Sequence, residues 1–342
     1  MNQAGRWPDP RGRGHRHTLA RQIGVHGRPL AWVLGGGGAR GALQVGAIRA
    51  LLEAGIQPDL LVGTSIGAVN ATYLAVRGLS LEGVVGLVGA WHDAAAADLL
   101  PANYLWLTLR VLFNRAGWRL AHRMRDFFVA QGLPPDLRFA DIQGVRLILV
   151  AADLNASRPV LYGADPQQSV LEGLLASTAL PPWVHPLEKG EQFLMDGGVV
   201  SILPVQAALD RGARAIIALD LADPRTVPAG GHGFGPFLGK LMRTVEQRQT
   251  DLELALAAAQ GVLVHRVVLC SDEPVPVWDF QHTDELLARG YEIARREMAH
   301  WAAERQAWRH RWLGWLFSSD QRRSGESKRQ VLSGKWKMDD NG

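Results

Sequence analysis

Two glycine-rich turns lie close together in this sequence, each between an apolar strand and a helix, and they constrain the chain more than any other feature. The apolar run Pro29–Leu34 reads as a buried strand that stops at Gly35-Gly36-Gly37-Gly38. A helix follows from about Arg40, with Leu43, Ala47, Ile48, Leu51 and Leu52 at helical spacing and Gly55 as its stop. Asp59–Thr64 reads as a second buried strand, and another helix runs from Ile66 to Gly78. Strand, helix, strand, helix with short turns is the pattern of a parallel sheet covered by helices, an α/β fold.

Further strands are expected at Val145–Asp153, Pro159–Tyr162, Ala213–Asp220 and Val264–Leu269. Pro204 opens a short helix that ends at Gly212, and a long helix runs from Asp284 to about Trp315. The segment 81–140 reads as a helical insertion with exposed-looking aromatics: Trp91, Tyr104, Trp106, Phe113, Trp118, Phe127 and Phe128. The expected organisation is a disordered basic arm over 1–28, an α/β domain over about 29–300, and an amphipathic helix end with a polar tail over 301–342. A composition of 47% hydrophobic and 20% charged residues excludes a wholly disordered or fibrous chain. No stretch of 18 apolar residues lacks a charge or helix breaker, so no transmembrane helix is expected. The N-terminal segment has no apolar core of the kind a secretory signal needs. The single Cys270 allows no internal disulfide, and the cytoplasm is the expected compartment. The net charge of +4 is unevenly spread, since the first 28 residues hold six Arg against one Asp. A basic flank suits an anionic membrane surface or a nucleic acid, or is a solvated tail.

Gly63-Thr64-Ser65-Ile66-Gly67 fits G-x-S-x-G, and a strand precedes it while a helix follows. A sharp strand-to-helix turn lifts a serine hydroxyl above the sheet edge, and the helix behind it presents a positive dipole end. The plainer reading is a serine N-cap with glycines present for packing. Gly35-Gly36-Gly37-Gly38-Ala39-Arg40-Gly41 exposes backbone N–H groups at a helix start, which bind a phosphate or a transient oxyanion. Gly36, Gly38 and Gly41 also satisfy the dinucleotide pattern G-x-G-x-x-G. That pattern wants an acid at the end of the second strand. The nearby acid, Asp59, precedes the strand, and its end is Thr64-Ser65 instead, which argues for hydrolysis. For a base, Asp196-Gly197-Gly198 follows the short apolar run Phe193-Leu194-Met195. The histidines His92, His185, His265 and His282 lack such a glycine turn. An aspartate of ordinary pKa is a poor base for a hydroxyl, and a dry site raises it.

These residues resemble the patatin-like phospholipase family, bacterial branch. Gly36-Gly37-Gly38-Ala39-Arg40-Gly41, Gly63-Thr64-Ser65-Ile66-Gly67 and Asp196-Gly197-Gly198 look like its three signatures, in the same order. The loop Ala176–Pro182 and the run Gly198-Val199-Val200 with Leu203-Pro204-Val205 are also similar. The resemblance implies a three-layer α/β/α fold with a mostly parallel central sheet. It implies Ser65 as nucleophile, Asp196 as base without histidine, and an oxyanion hole over Gly36–Gly41. It further implies hydrolysis of lipid acyl esters, phospholipid or lysophospholipid, with no metal and no cofactor. Ser201-Ile202 stands where family members often carry Asn, which bears on substrate choice. Arg40 is expected to hold the glycine loop by pairing with a carboxylate or carbonyl. Two rival readings are a catalytically silent lipid-binding scaffold and a nucleotide-binding protein using the glycine loop; no nucleic acid is expected as partner.

Two expectations concern the lipid. The aromatics of 81–140 are expected to form part of the substrate entrance. In the C-terminal helix, Trp301, Trp308, Trp312 and Trp315 fall in a stripe about 60° wide with Arg309 and Arg311 beside it. Such a stripe docks on an anionic membrane at the inner face, or packs on protein.

Overall fold

The computed structural model describes residues 27–97, 118–180, 184–224 and 234–332, with side chains of the last helix to residue 307. Most of the basic arm, Tyr104, Trp106 and Phe113 lie outside the described residues, as do the side chains of Trp118, Trp308, Trp312 and Trp315.

Among the described residues eight strands form one sheet: β1 Leu30–Leu34, β2 Leu60–Thr64, β3 Arg146–Asp153, β4 Arg158–Tyr162, β5 Leu187–Lys189, β6 Gln192–Asp196, β7 Ala215–Leu221 and β8 Leu263–Leu269. β3, β2, β1, β7 and β8 lie side by side and parallel. β4, β5 and β6 add antiparallel pairings at the β3 side, so the sheet is mixed. Every residue of β1, β2 and β7 is buried, as a strand covered on both faces requires.

Alternation along β1 builds the three layers. Leu30, Trp32 and Leu34 enter one core with helices α1 (Gly41–Glu53), α2 (Ile66–Arg77) and α3 (Leu81–Ala96). Ala31 and Val33 enter the other, beneath α6 (Val205–Asp210) and α7 (Phe234–Ala259). α4 (Trp118–Ala130) and α5 (Val170–Ser177) pack on the first face. α8 (Thr283–Leu332) lies along α1 in near backbone contact. A Cβ at Gly46 would fall 2.7 Å from the Tyr291 nitrogen, and one at Gly290 would fall 2.6 Å from the Leu43 carbonyl carbon, so both positions need glycine.

The described aromatics of the 81–140 segment, Trp91, Phe127 and Phe128, belong to the packed core rather than to an exposed surface. Trp91 is buried, its ring 5.5 Å from that of Phe280, and Phe128 is buried in the same core. Trp301 likewise leaves the proposed membrane stripe. It is 8% exposed and packs on His265 with ring centres 4.5 Å apart. The apolar ring at that turn of α8 satisfies the domain core rather than a lipid surface.

β3 does one thing that matters for the site. Val150 pairs with Thr64 on one edge and Leu161 on the other, and the next residue, Ala151, pairs with Val160 and Asp196. β2 and β6 therefore share one edge of β3, β6 taking over antiparallel where β2 stops. This handover sets Asp196 beside the end of β2.

Candidate active site

β2 ends at Thr64, and Ser65 takes φ 55° and ψ −124° before α2 begins at Ile66. A non-glycine residue held in that region costs about 1–3 kcal/mol. The surroundings impose it. A Cβ at Gly63 would sit 2.6 Å from the Ala68 nitrogen, and one at Gly67 would sit 2.6 Å from the Leu34 carbonyl carbon. Without side chains there, α2 starts hard against the ends of β1 and β2. The Ser65 N–H donates to Ser177 Oγ at 3.1 Å, and that hydroxyl donates to Val150 O at 2.7 Å. Thr64 Oγ1 donates to Ser201 O at 3.0 Å. The turn is thus pinned from three sides.

Asp196 closes β6 and is 3% exposed. Its Oδ1 accepts the Gly198 N–H at 2.8 Å, while its buried Oδ2 has no partner in hydrogen-bonding geometry. The Ser65 hydroxyl is nonetheless near enough to favour the carboxylate form. Burial is the largest influence and pushes the carboxyl up to about 6; Ser65 and the Gly198 N–H oppose it, and the Glu246 carboxylate adds to it. A carboxylate dehydrated to that degree holds a proton far better than a solvated one, and its free oxygen is the acceptor a hydroxyl needs.

The glycine loop is partly committed. Gly35 N–H donates to Leu219 O at 3.2 Å, Gly36 N–H to Ile202 O at 2.9 Å, and Ala39 N–H to Val277 O at 2.8 Å. Gly41 N–H turns back to Gly38 O within the loop. Gly36, Ala39 and Gly41, three residues of the stretch expected to bind an anion, thus direct their N–H groups to carbonyls of the fold. Gly38 has φ +60° and lies on the wall of the cavity that holds Ser65. Arg40 is buried. Its Nε donates to Gly37 O at 3.2 Å and its Nη1 pairs with Asp223 at 3.4 Å, so both a carbonyl and a carboxylate hold it.

Two polar residues that sequence reasoning passed over brace both turns. Gln44 Nε2 donates to Gly35 O at 2.8 Å and Leu219 O at 3.1 Å. Asn70 Nδ2 donates to Gly41 O at 3.0 Å and Gln44 Oε1 at 3.1 Å, and Asn70 Oδ1 accepts from Trp91 Nε1 at 3.0 Å. Both are fully buried. Their signal was an amide inside an otherwise small and apolar helical stretch. In the sequence Ser177 is marked only as part of the loop Ala176–Pro182.

Ser65 and Asp196 both face a cavity of about 130 Å³. One face of α2 lines it from Ser65 through Val69 and Val76 to Arg77, a path of roughly 18 Å at 1.5 Å per residue. α3 and α4 close it with Trp91, Met124, Phe127 and Phe128 among others. Among the described residues no histidine lines it. His185 is exposed beside Pro186, His282 faces Asp279 and Glu285, and His92 faces Asp284. The acid that a nucleotide site needs is also elsewhere: Asp59 binds Arg28 at 2.7 Å and the Leu30 N–H at 2.7 Å, at the opposite edge of the sheet.

A serine in a strained strand-to-helix turn, a buried aspartate beside it and a glycine loop at the end of the neighbouring strand stand together at one end of the sheet. Residues 32–209 match the patatin family, described as patatin-like phospholipase, and the chain belongs to that family. It is 32% identical over 315 residues to the human patatin-like phospholipase domain-containing protein 6, across 85% of this chain and 22% of that one. It is 30% identical over 251 residues to an uncharacterized NTE family protein of Mycobacterium tuberculosis, across 72% of this chain and 39% of the other. The chain spans about a fifth to two fifths of the length of these relatives. Among solved structures it is similar to VipD from Legionella pneumophila, with 14% identity, a TM-score of 0.43, and coverage of 80% of this chain and 67% of that one. Among the described residues no helix is long and apolar enough to cross a membrane.

Proposed function

We propose that this chain hydrolyses acyl esters of lipids, phospholipid or lysophospholipid, with Ser65 as nucleophile and Asp196 as its base. The observation that carries the reading is that a serine hydroxyl on a left-handed turn and the open oxygen of a buried carboxylate face one apolar cavity. Asp196 Oδ2 takes the Ser65 proton as Oγ bonds to the ester carbonyl carbon. The negative charge moves to the carbonyl oxygen, where the Gly37 and Gly38 N–H groups and the start of α2 stabilise it. A well-placed donor of this kind contributes about 3–4 kcal/mol. As the tetrahedral centre collapses, the alcohol leaves with the proton from Asp196 and the acyl group stays on Ser65. Water then attacks that ester with Asp196 again as base, and the fatty acid is released.

Arg40 keeps Gly37 O turned away from the anion by bonding to it, so the peptide's other end faces the site. The cavity along α2 takes the acyl chain. The test is incubation of the purified chain with a total lipid extract and with a fluorophosphonate probe. The expected result is release of free fatty acid and labelling that Ser65→Ala removes. A wild-type chain that neither labels nor releases acyl groups is a lipid-binding scaffold, and the reading is then wrong.

A further inference from the structure

α7 is anchored by one half and leaves the other half uncovered. In the anchored half Thr250 and Ala257 are buried, Glu253 binds the Ser201 hydroxyl and the Gln206 N–H, and Gln249 donates to Val199 O at 2.7 Å. In the other half the described large apolar side chains face outward. Phe237 is 61% exposed, Leu241 47%, Met242 41% and Val245 40%. Phe237, Leu241 and Val245 fall within about 80° of one another and span about 12 Å of helix. Scattered apolar residues on a surface are ordinary, but a contiguous stripe of large ones marks a contact.

The stripe's position ties it to the site. Arg243 reaches Asp223 at 3.8 Å, just past the end of β7. β7, β1 and β2 are parallel, so that end of β7 lies on the same sheet edge as Gly35 and Ser65. Arg40 meets the same Asp223, which joins the base of the stripe to the glycine loop. The uncovered half of α7 therefore overhangs the edge that carries the nucleophile.

Charge selects the occupant. Between Phe237 and Arg248 stand Lys240, Arg243 and Arg248 against a single carboxylate, Glu246, which is half buried. Lys240 and Arg248 are exposed at the margins of the stripe. A second copy docked through a two-fold would bring these cations against their own images, which is unfavourable. A layer of anionic headgroups opposes them. We propose that the N-terminal half of α7 docks on an anionic lipid surface, with Phe237, Leu241 and Val245 entering the headgroup boundary and Lys240 and Arg248 pairing with phosphates. This rests on the proposed function only in that the substrate is a lipid.

The test is flotation of the full chain with vesicles of phosphatidylcholine alone and of phosphatidylcholine with phosphatidylglycerol. The wild type is expected to float with the anionic vesicles, and less so at high salt. Phe237→Ser with Leu241→Ser, and separately Lys240→Glu with Arg248→Glu, are expected to lower the bound fraction at least tenfold. Hydrolysis of a soluble short-chain ester is expected to be unchanged in both variants, which shows that they fold. Flotation of either variant at the wild-type level overturns the docking face. So does a wild type that ignores anionic vesicles and sediments as a dimer that Phe237→Ser with Leu241→Ser dissolves. Absence of short-ester hydrolysis in every form strikes the proposed function and leaves the vesicle result standing.

Discussion

Asp196 and Glu253 are both buried carboxylates beside the same turn, and their difference is instructive. Burial is the largest influence on each and pushes both upward. Glu253 has both oxygens occupied, Oε1 by the Ser201 hydroxyl and Oε2 by the Gln206 N–H at 2.7 Å. Asp196 gives one oxygen to Gly198 and keeps the other open toward Ser65. A buried carboxylate with its acceptors filled is a brace, holding α7 to the loop after β6. One with an acceptor left open is, on the proposed function, a reactant. Desolvation alone does not distinguish them; hydrogen-bond completeness does.

The largest expected effect breaks the pair apart in rate. Ser65→Ala and Asp196→Asn are expected to lower kcat/KM on a soluble ester by at least about 10³, since asparagine keeps the shape but takes no proton. Glu253→Gln is expected to stay within about tenfold of wild type. Equal losses in the two carboxylate variants, measured by steady-state kinetics, would erase the distinction drawn here.

Stability should separate them with opposite sign. A folded-state value near 6 against 3.8 unfolded means that the native state binds the proton more tightly. Wild-type stability therefore falls as pH climbs from about 4 to about 6 and stays low above that. Two pH units correspond to about 3 kcal/mol at most. Asp196→Asn, which has no charge to bury, is expected to recover much of this at pH 8 and none of it below pH 4. Glu253→Gln is expected to lose about 1–3 kcal/mol, because an amide nitrogen then meets a donor. Urea titrations at the two pH values read both.

The activity profile sharpens the same point. Wild-type kcat/KM is expected to rise about tenfold per pH unit below pH 6 and then level, following one carboxyl losing its proton. A midpoint at the ordinary aspartate value of about 4 would mean that the free enzyme's site is wet. The smallest effect expected is that of Ser177→Ala, which removes the acceptor of the Ser65 N–H. A kcat lower by several-fold with KM little changed fits a loss of about 1 kcal/mol in holding the turn.

The parts of this protein legible in its sequence are those fixed by local rules. Glycines flanking Ser65 announce a turn that no side chain fits, and the continuous apolar runs of β1, β2 and β7 announce strands buried on both faces. The register of β6 is not local. Phe193-Leu194-Met195 reads as a short apolar run, and nothing in it says antiparallel or names β3 as partner. The hairpin of β5 and β6 and the helices α5 and α7 carry no clear local signal for the same reason. α7 in particular turns Phe237, Leu241 and Val245 to solvent, which blurs the periodicity that marks a helix with one buried face. Gln44, Asn70 and Ser177 act through carbonyls distant in sequence, so their roles appear only once the turns are assembled. The sequence marks the glycine loop as a candidate anion site, but not which of its N–H groups are taken up by the fold, because that depends on Ile202 and Val277 arriving from elsewhere.

On the proposed function, the shared edge of β3 also governs when the chain could act on lipids. Ser65 and its turn are built early in the sequence from neighbouring strands, whereas Asp196 reaches it only by a long-range antiparallel pairing. Contacts of that kind form late because loop closure must precede them. A chain still being synthesised, or one whose later half has come loose, has Ser65 without Asp196 beside it and a glycine loop without the Ile202 carbonyl that shapes it. On the proposed function, competence is coupled to completion, since the base reaches the nucleophile only once β6 has docked on β3.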